Sequence, residues 1–213
     1  ILEQTFSDFE YILVNDGSTD DSQDILDEYA GKDRRVRVIH EQNHGYIQAL
    51  NAGMELARGP FIARMDADDI AMPDRFEKQA HEDIDAAHLA GKGGTLVHPA
   101  MRARREAIIA AGGYRVEHPW AEVLDLFLRL AEVGKLAYLP DTVLHYRQHL
   151  SSIGYSKAAR QRQSTVECIR DACIRRGLPV PEDVRPNDLA PPTVAESYRK
   201  WAWWALSSGY VHS

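Results

Sequence analysis

An α/β fold with a mostly parallel, doubly wound sheet is predicted by three observations. Short apolar runs alternate with helical patterns in strand-helix-strand-helix-strand order over residues 9–65. Two of those runs close on acidic clusters, Val14-Asn15-Asp16-Gly17-Ser18-Thr19-Asp20-Asp21 and Met65-Asp66-Ala67-Asp68-Asp69. A chain of 213 residues is long enough for one sizeable core and a small helical appendage. In such sheets ligands bind outside the C-terminal ends of the strands, which is where both carboxylate sets fall.

The elements follow in order. Phe9 to Val14 reads as a strand, with Ser18 or Thr19 as N-cap of a helix through Ile25, Leu26 and Tyr29. Val36 to His40 is a second strand. Asn43-His44-Gly45 is a turn, and Ile47 to Ala57 a helix stopped by Arg58-Gly59-Pro60. Phe61 to Met65 is a third strand running into the second cluster. Helices are expected over 73–90, 104–111 and 121–133, with a break at Gly91-Lys92-Gly93-Gly94, and strands over 136–139 and 143–147. Residues 151–213 read as a helical extension: a long polar helix over 156–176, a proline-rich linker over 179–192, and a tryptophan-rich amphipathic helix over 195–206.

Composition excludes several classes. Hydrophobic and charged contents of 44% and 27% are those of a globular protein, and a net charge of -7 argues against a nucleic-acid partner. No run reaches the ~18 apolar residues of a membrane span, and the N-terminus does not read as a signal peptide. Cys168 and Cys173 lie five apart in a helical stretch and would point in different directions. No disulfide and a reduced cytoplasmic setting are therefore expected.

The motifs resemble those of the family-2 inverting glycosyltransferases, which carry the nucleotide-sugar-binding GT-A fold. The resemblance runs through Val14 to Asp20, Asn43-His44-Gly45, Leu50-Asn51-Ala52-Gly53, Ile62 to Asp69 and Pro73 to Gln79. It continues through His98-Pro99, Gly112-Gly113-Tyr114, Ala121-Glu122 with Leu126 to Leu130, and Tyr146-Arg147-Gln148-His149. It covers roughly residues 1–150, in the family's order. Three departures stand out. The family opens with a further strand ahead of residue 1, the stretch from His81 to Gly94 is shorter than its usual insert, and its Glu-Asp pair reads Glu122-Val123.

The resemblance implies a nucleotide-sugar donor, a UDP-sugar first of all, and a saccharide or lipid-linked acceptor in surface polysaccharide or glycolipid synthesis. Asp66 and Asp68 leave a strand as alternate residues, so their carboxylates project the same way and suit one hard cation. The resemblance makes that cation Mn²⁺ or Mg²⁺ on the donor diphosphate, against the plainer reading of a solvated acidic turn. By resemblance Asp16 holds the nucleobase beside Asn15, and Arg147 and His149 approach the diphosphate from a late loop. Arg147 pairing with a surface carboxylate is the alternative. His98 matches the acceptor side.

Inverting transfer needs a carboxylate base. Glu122 is the surviving half of the family pair and Asp125, three residues on, is the second candidate; a first-turn role at the helix dipole is the plainer reading of Glu122. A non-catalytic nucleotide-sugar-binding module is the alternative function, and a nucleotidyltransferase a third. Trp201, Trp203 and Trp204 are expected to pack on the catalytic domain or on a second copy of the chain. A peripheral contact at the inner membrane face is the other option.

Overall fold

The computed structural model describes residues 1–81, 98–136, 139, 141–147, 149, 157–180 and 193–199. The order is β1 (Tyr11–Asp16), α1 (Ser22–Lys32), β2 (Val36–Glu41), α2 (Tyr46–Leu56), β3 (Phe61–Ala63), β4 (Ile70–Ala71) and α3 (Arg75–His81). A single 3₁₀ turn (His98–Ala100) leads into β5 (Arg102–Arg104), α4 (Arg105–Ala110), α5 (Glu122–Val133), β6 (Leu144–His145) and α6 (Ala158–Arg175). The chain divides into a unit of residues 1–117 and 122–147 and a unit of residues 118–121 and 148–213.

In the first unit β1 and β2 pair in parallel, from Tyr11 opposite Val36 to Asp16 opposite Glu41. This pair carries the expected parallel character. The other described pairings, β3 with β5 and β4 with β6, are antiparallel. α2 packs on β1 and α1 on β2. Glu10, at the head of β1, ties three segments together. Its carboxylate accepts from the Arg58 and Gly59 backbone N–H groups at 2.6 and 3.2 Å and from Arg37 at 2.8 Å.

Several boundaries differ from the sequence reading. α1 starts at Ser22 rather than after Ser18 or Thr19. The Ser18 N–H is instead bonded to Asn15 Oδ1 at 2.9 Å, and Asp20 Oδ1 accepts from the Ser22 N–H at 3.1 Å. The third strand stops at Ala63, two residues early, with one further cross-strand bond from the Arg64 N–H to the Met101 carbonyl at 3.1 Å. The helix expected from Pro73 starts at Arg75. The expected structure over 82–97, part of the 136–139 strand, the 181–192 linker and the tryptophan-bearing residues 201–206 fall outside the described residues.

The core of this unit gathers Met101, Ile108, Tyr114, Leu126, Phe127 and Leu130, with Val123 and Met54 packed against it. α4 ends as the Gly112-Gly113 pair predicted. Gly112, at φ 84°, bonds the Ile109 carbonyl and Gly113 the Ile108 carbonyl, a left-handed closure that side chains with a Cβ resist.

In the second unit, α6 buries Val166, Cys168 and Ala172, and both cysteines are free thiols. Residues 194–199 are helical, opened by a Thr193–Glu196 capping box in which each residue's side chain bonds the other's backbone N–H. Among the described residues no helix is long and apolar enough to cross a membrane.

Candidate active site

The first acidic cluster is held against the 43–45 turn. Asp16, at the end of β1, accepts the His44 N–H at 2.7 Å and the Gly45 N–H at 3.0 Å, one on each carboxylate oxygen. Gly17 follows at φ 70°, and a Cβ there would lie 2.7 Å from the Asn43 nitrogen, so only glycine lets the two loops close. Asn15, expected at the nucleotide, is buried and occupied instead. Its Oδ1 takes the Ser18 N–H and its Nδ2 meets His40 Nδ1 at 3.1 Å. It builds the loop that carries Asp16, since a buried amide must be paired.

The second cluster opens from β3. Arg64 bonds the Asp66 carboxylate, and the same Nη2 donates to the Tyr46 hydroxyl at 3.0 Å. Tyr46 is the first residue of α2, directly after the Gly45 that Asp16 holds, so the 44–46 segment bonds the first cluster directly and reaches Asp66 of the second through Arg64. Behind the motif, Arg75 is fully buried and donates to the Arg64 carbonyl at 2.8 Å. Burial pulls its pKa down to about 10. Asp69 is buried, and burial raises its pKa against the Arg147 N–H bonded to it at 2.8 Å.

Arg147, expected at the diphosphate, sits directly on this loop, its Nε donating to the Asp68 carbonyl at 2.7 Å. This is a backbone contact rather than a pairing with a surface carboxylate. Asp68 is exposed and Asp66 partly so. His149 is also exposed.

His98 is not on an open acceptor surface. It is buried, with Nδ1 3.1 Å from the Tyr46 hydroxyl and Nε2 on the Tyr114 hydroxyl. Burial, reinforced by the Arg64 charge, lowers its pKa to about 3, so the imidazole is neutral. Both tyrosines are pushed well above their ordinary value, first by burial. Asn51 fixes Tyr114, accepting from its N–H at 3.0 Å and donating to its carbonyl at 2.9 Å.

The two base candidates separate sharply. Asp125 is fully buried and gripped by Arg115 and Arg129, with four N–H groups on its two oxygens. Burial works to raise its pKa, but the two guanidinium groups outweigh it and leave it lowered. Asp125 is therefore an anchor: Arg129 in turn bonds the Ala111 and Gly113 carbonyls and ties α5 to the end of α4. Glu122, at the first position of α5, is buried, and its charge is felt at both Tyr46 and Tyr114. Val123, where the resemblance places an aspartate, packs against the core.

Sequence reading set Arg64 against a carboxylate with no catalytic role, which its pairing with Asp66 matches, and gave no role to Tyr46 or Tyr114. The signal available was position: each adjoins a motif, the Asp66 cluster, the Gly45 turn and the Gly112-Gly113 pair.

A divalent cation suits what is present. Asp66 and Asp68 offer hard oxygen donors. Among the described residues they belong to no cluster of three His, Cys, Asp or Glu groups, so water and phosphate would complete the coordination as at Mg²⁺-type sites.

Comparison with known proteins agrees with this architecture. An uncharacterized glycosyltransferase of Bacillus subtilis, EpsJ, is 45% identical over 82 residues, 38% of this chain and 24% of that protein. The chondroitin synthase of Escherichia coli is 24% identical over 231 residues, 95% of this chain and 33% of the synthase. The chain thus spans a third or less of the length of these relatives. Among solved structures, a mannosyltransferase from Pyrobaculum calidifontis in complex with GDP-Man and Mn²⁺ superposes with a TM-score of 0.66. The match has 17% identity and covers 99% of this chain and 69% of that one. The shared fold is the GT-A type. The model of glycosyl transferase family 2 matches residues 1–106, and through that half the chain belongs to glycosyl transferase family 2.

Proposed function

We propose that this chain is the catalytic domain of a metal-dependent inverting glycosyltransferase, moving a hexose from a nucleotide-diphospho-sugar to an acceptor hydroxyl. One observation carries the reading. The metal-motif carboxylate Asp66 pairs with Arg64, which bonds Tyr46, and Tyr46 and Tyr114 share His98, so the cation ligand is tied to a tyrosine–histidine cluster that the buried Glu122 charge also reaches. Asp66 and Asp68 would hold Mn²⁺ or Mg²⁺, which when bound offsets the charge of a leaving diphosphate. Arg147, seated on the Asp68 carbonyl, adds a cation beside that group. Asp16, fixed at the 44–45 turn, is the nucleobase residue, with UDP the first base to test.

Glu122 takes the proton of the acceptor hydroxyl. The acceptor oxygen bonds the anomeric carbon from the face opposite the diphosphate, and the carbon–oxygen bond to phosphate breaks with its electron pair leaving on the diphosphate. Asp125 is set aside as base because its oxygens are already filled by arginine. A polysaccharide or glycolipid acceptor is supported by the likeness to a chondroitin synthase.

Removing Asp68 tests the metal. Asp68→Ala should lose at least about a hundredfold in transfer or donor hydrolysis with Mn²⁺, and full activity would refute the assignment. Calorimetry with UDP, GDP and Mn²⁺ selects the base. Binding by the unaltered chain without any release of nucleoside diphosphate would favour the alternative, a binding module, which Val123 motivates.

A further inference from the structure

Four polar side chains run in series between the two carboxylates of the candidate site: Arg64, Tyr46, His98 and Tyr114. Their donor and acceptor capacities are limited enough to give the series a direction. Arginine only donates, so the Tyr46 oxygen is the acceptor of the Arg64 bond. The guanidinium charge draws electrons from that oxygen and strengthens its own O–H as a donor. Its neighbour is His98 Nδ1.

A neutral imidazole carries one proton. If Tyr46 donates to Nδ1, the proton is on Nε2 and points at the Tyr114 hydroxyl. The opposite arrangement would put two donors, Arg64 and Nδ1–H, on the lone pairs of one tyrosine oxygen and turn the Tyr46 proton away from the imidazole.

The ends of the series are ordered as well. Asp66 acts on Tyr46 more strongly than Glu122 does, whereas at Tyr114 Glu122 outweighs Asp66. The Arg64 pair sets Asp66 at the Tyr46 end, and the stronger Glu122 charge at Tyr114 agrees with Glu122 lying toward the other end. With its oxygen accepting from His98, the Tyr114 hydroxyl has a proton left to give. Asn51 holds the Tyr114 backbone on both sides, so that hydroxyl is fixed in place.

We propose that Arg64, Tyr46, His98 and Tyr114 form a one-way hydrogen-bond chain that starts at the Asp66 pair and ends with the Tyr114 hydroxyl donating to Glu122. Tyr114 is then a positioning residue, acting through Glu122, whose role as base rests on the function proposed above. The chain makes the cation side and the acceptor side one rigid piece, since each link fixes the orientation of the next.

The test reads the imidazole directly. In ¹⁵N-labelled protein without donor or metal, the His98 signal is assigned by its loss in His98→Gln. It should show a neutral ring protonated on Nε2 from about pH 5 to about pH 8. Glu122→Gln should move that Nε2 resonance, because the Tyr114 hydroxyl loses a charged acceptor. In turnover, Tyr114→Phe should lower kcat about tenfold, with the donor KM and calorimetric Mn²⁺ affinity held within about twofold.

An Nδ1–H ring, an imidazolium at neutral pH, or an Nε2 resonance unmoved by Glu122→Gln would overturn the chain. So would a Tyr114→Phe effect confined to donor KM. Absence of any sugar transfer by the unaltered protein would defeat the transferase reading alone, because the imidazole measurements need no substrate.

Discussion

Asp125 and Glu122 lie three residues apart on one helix, and burial sends them to different work. Asp125 neutralises two guanidinium groups, and the Glu122 charge reaches the tyrosine cluster. Their variants should fail in different assays. Asp125→Ala should cost about 3–5 kcal/mol in denaturant unfolding, because it leaves the buried Arg129 without its carboxylate. Glu122→Gln should leave the unfolding midpoint nearly unchanged while reducing kcat by about 10²- to 10⁴-fold. The reverse pattern would return the base to Asp125. Sequence alone left both open, since spacing along a helix does not say which carboxylate meets an arginine from position 115.

Among elements, the β1–α1 loop and the turn before α2 act as a single piece. Asp16 clamps two backbone N–H groups of that turn, and Gly17 gives the clearance. Gly17→Ala should destabilise the protein by about 1–3 kcal/mol by thermal or chemical unfolding, since it adds left-handed strain to a backbone clash. It should weaken UDP binding more than the stability loss explains, because Asp16 would shift with the loop. The strands and helices themselves were legible: β1, β2, α1, α2, α4 and α5 lie where apolar periodicity put them, within a few residues. The cap at Ser18 was misplaced because an Asx-type turn from Asn15 extends the loop through Ser18, and Asp20 takes the Ser22 N–H where the helix begins.

At the scale of the whole molecule, buried titratable groups set the response to acid. His98 is held neutral, its pKa lowered to about 3 from an ordinary 6.5, so unfolding takes up a proton once the pH falls below about 6.5. Its contribution is complete above that pH and is lost as the pH falls toward 3. Asp125 has the opposite charge type: its lowered carboxyl stabilises above its ordinary 3.8 and loses that contribution below it. Unfolding free energy should therefore decline between pH 6.5 and 4 with a slope of up to about 1.4 kcal/mol per unit from His98 alone. The slope should flatten in His98→Gln, as urea titrations at several pH values would show. An unchanged slope in that variant would place the acid sensitivity elsewhere.

The order of elements, the acidic strand ends and the family likeness were determined by the sequence, because apolar periodicity, turn residues and motif spacing are local properties. Which carboxylate is an anchor and which borders the site was decided only in three dimensions. So were the burial of His98 and the series that joins Arg64 to Tyr114 across 49 intervening positions. Those facts depend on partners distant along the chain, and hydrogen-bond capacity and dielectric environment exist only once the partners have met.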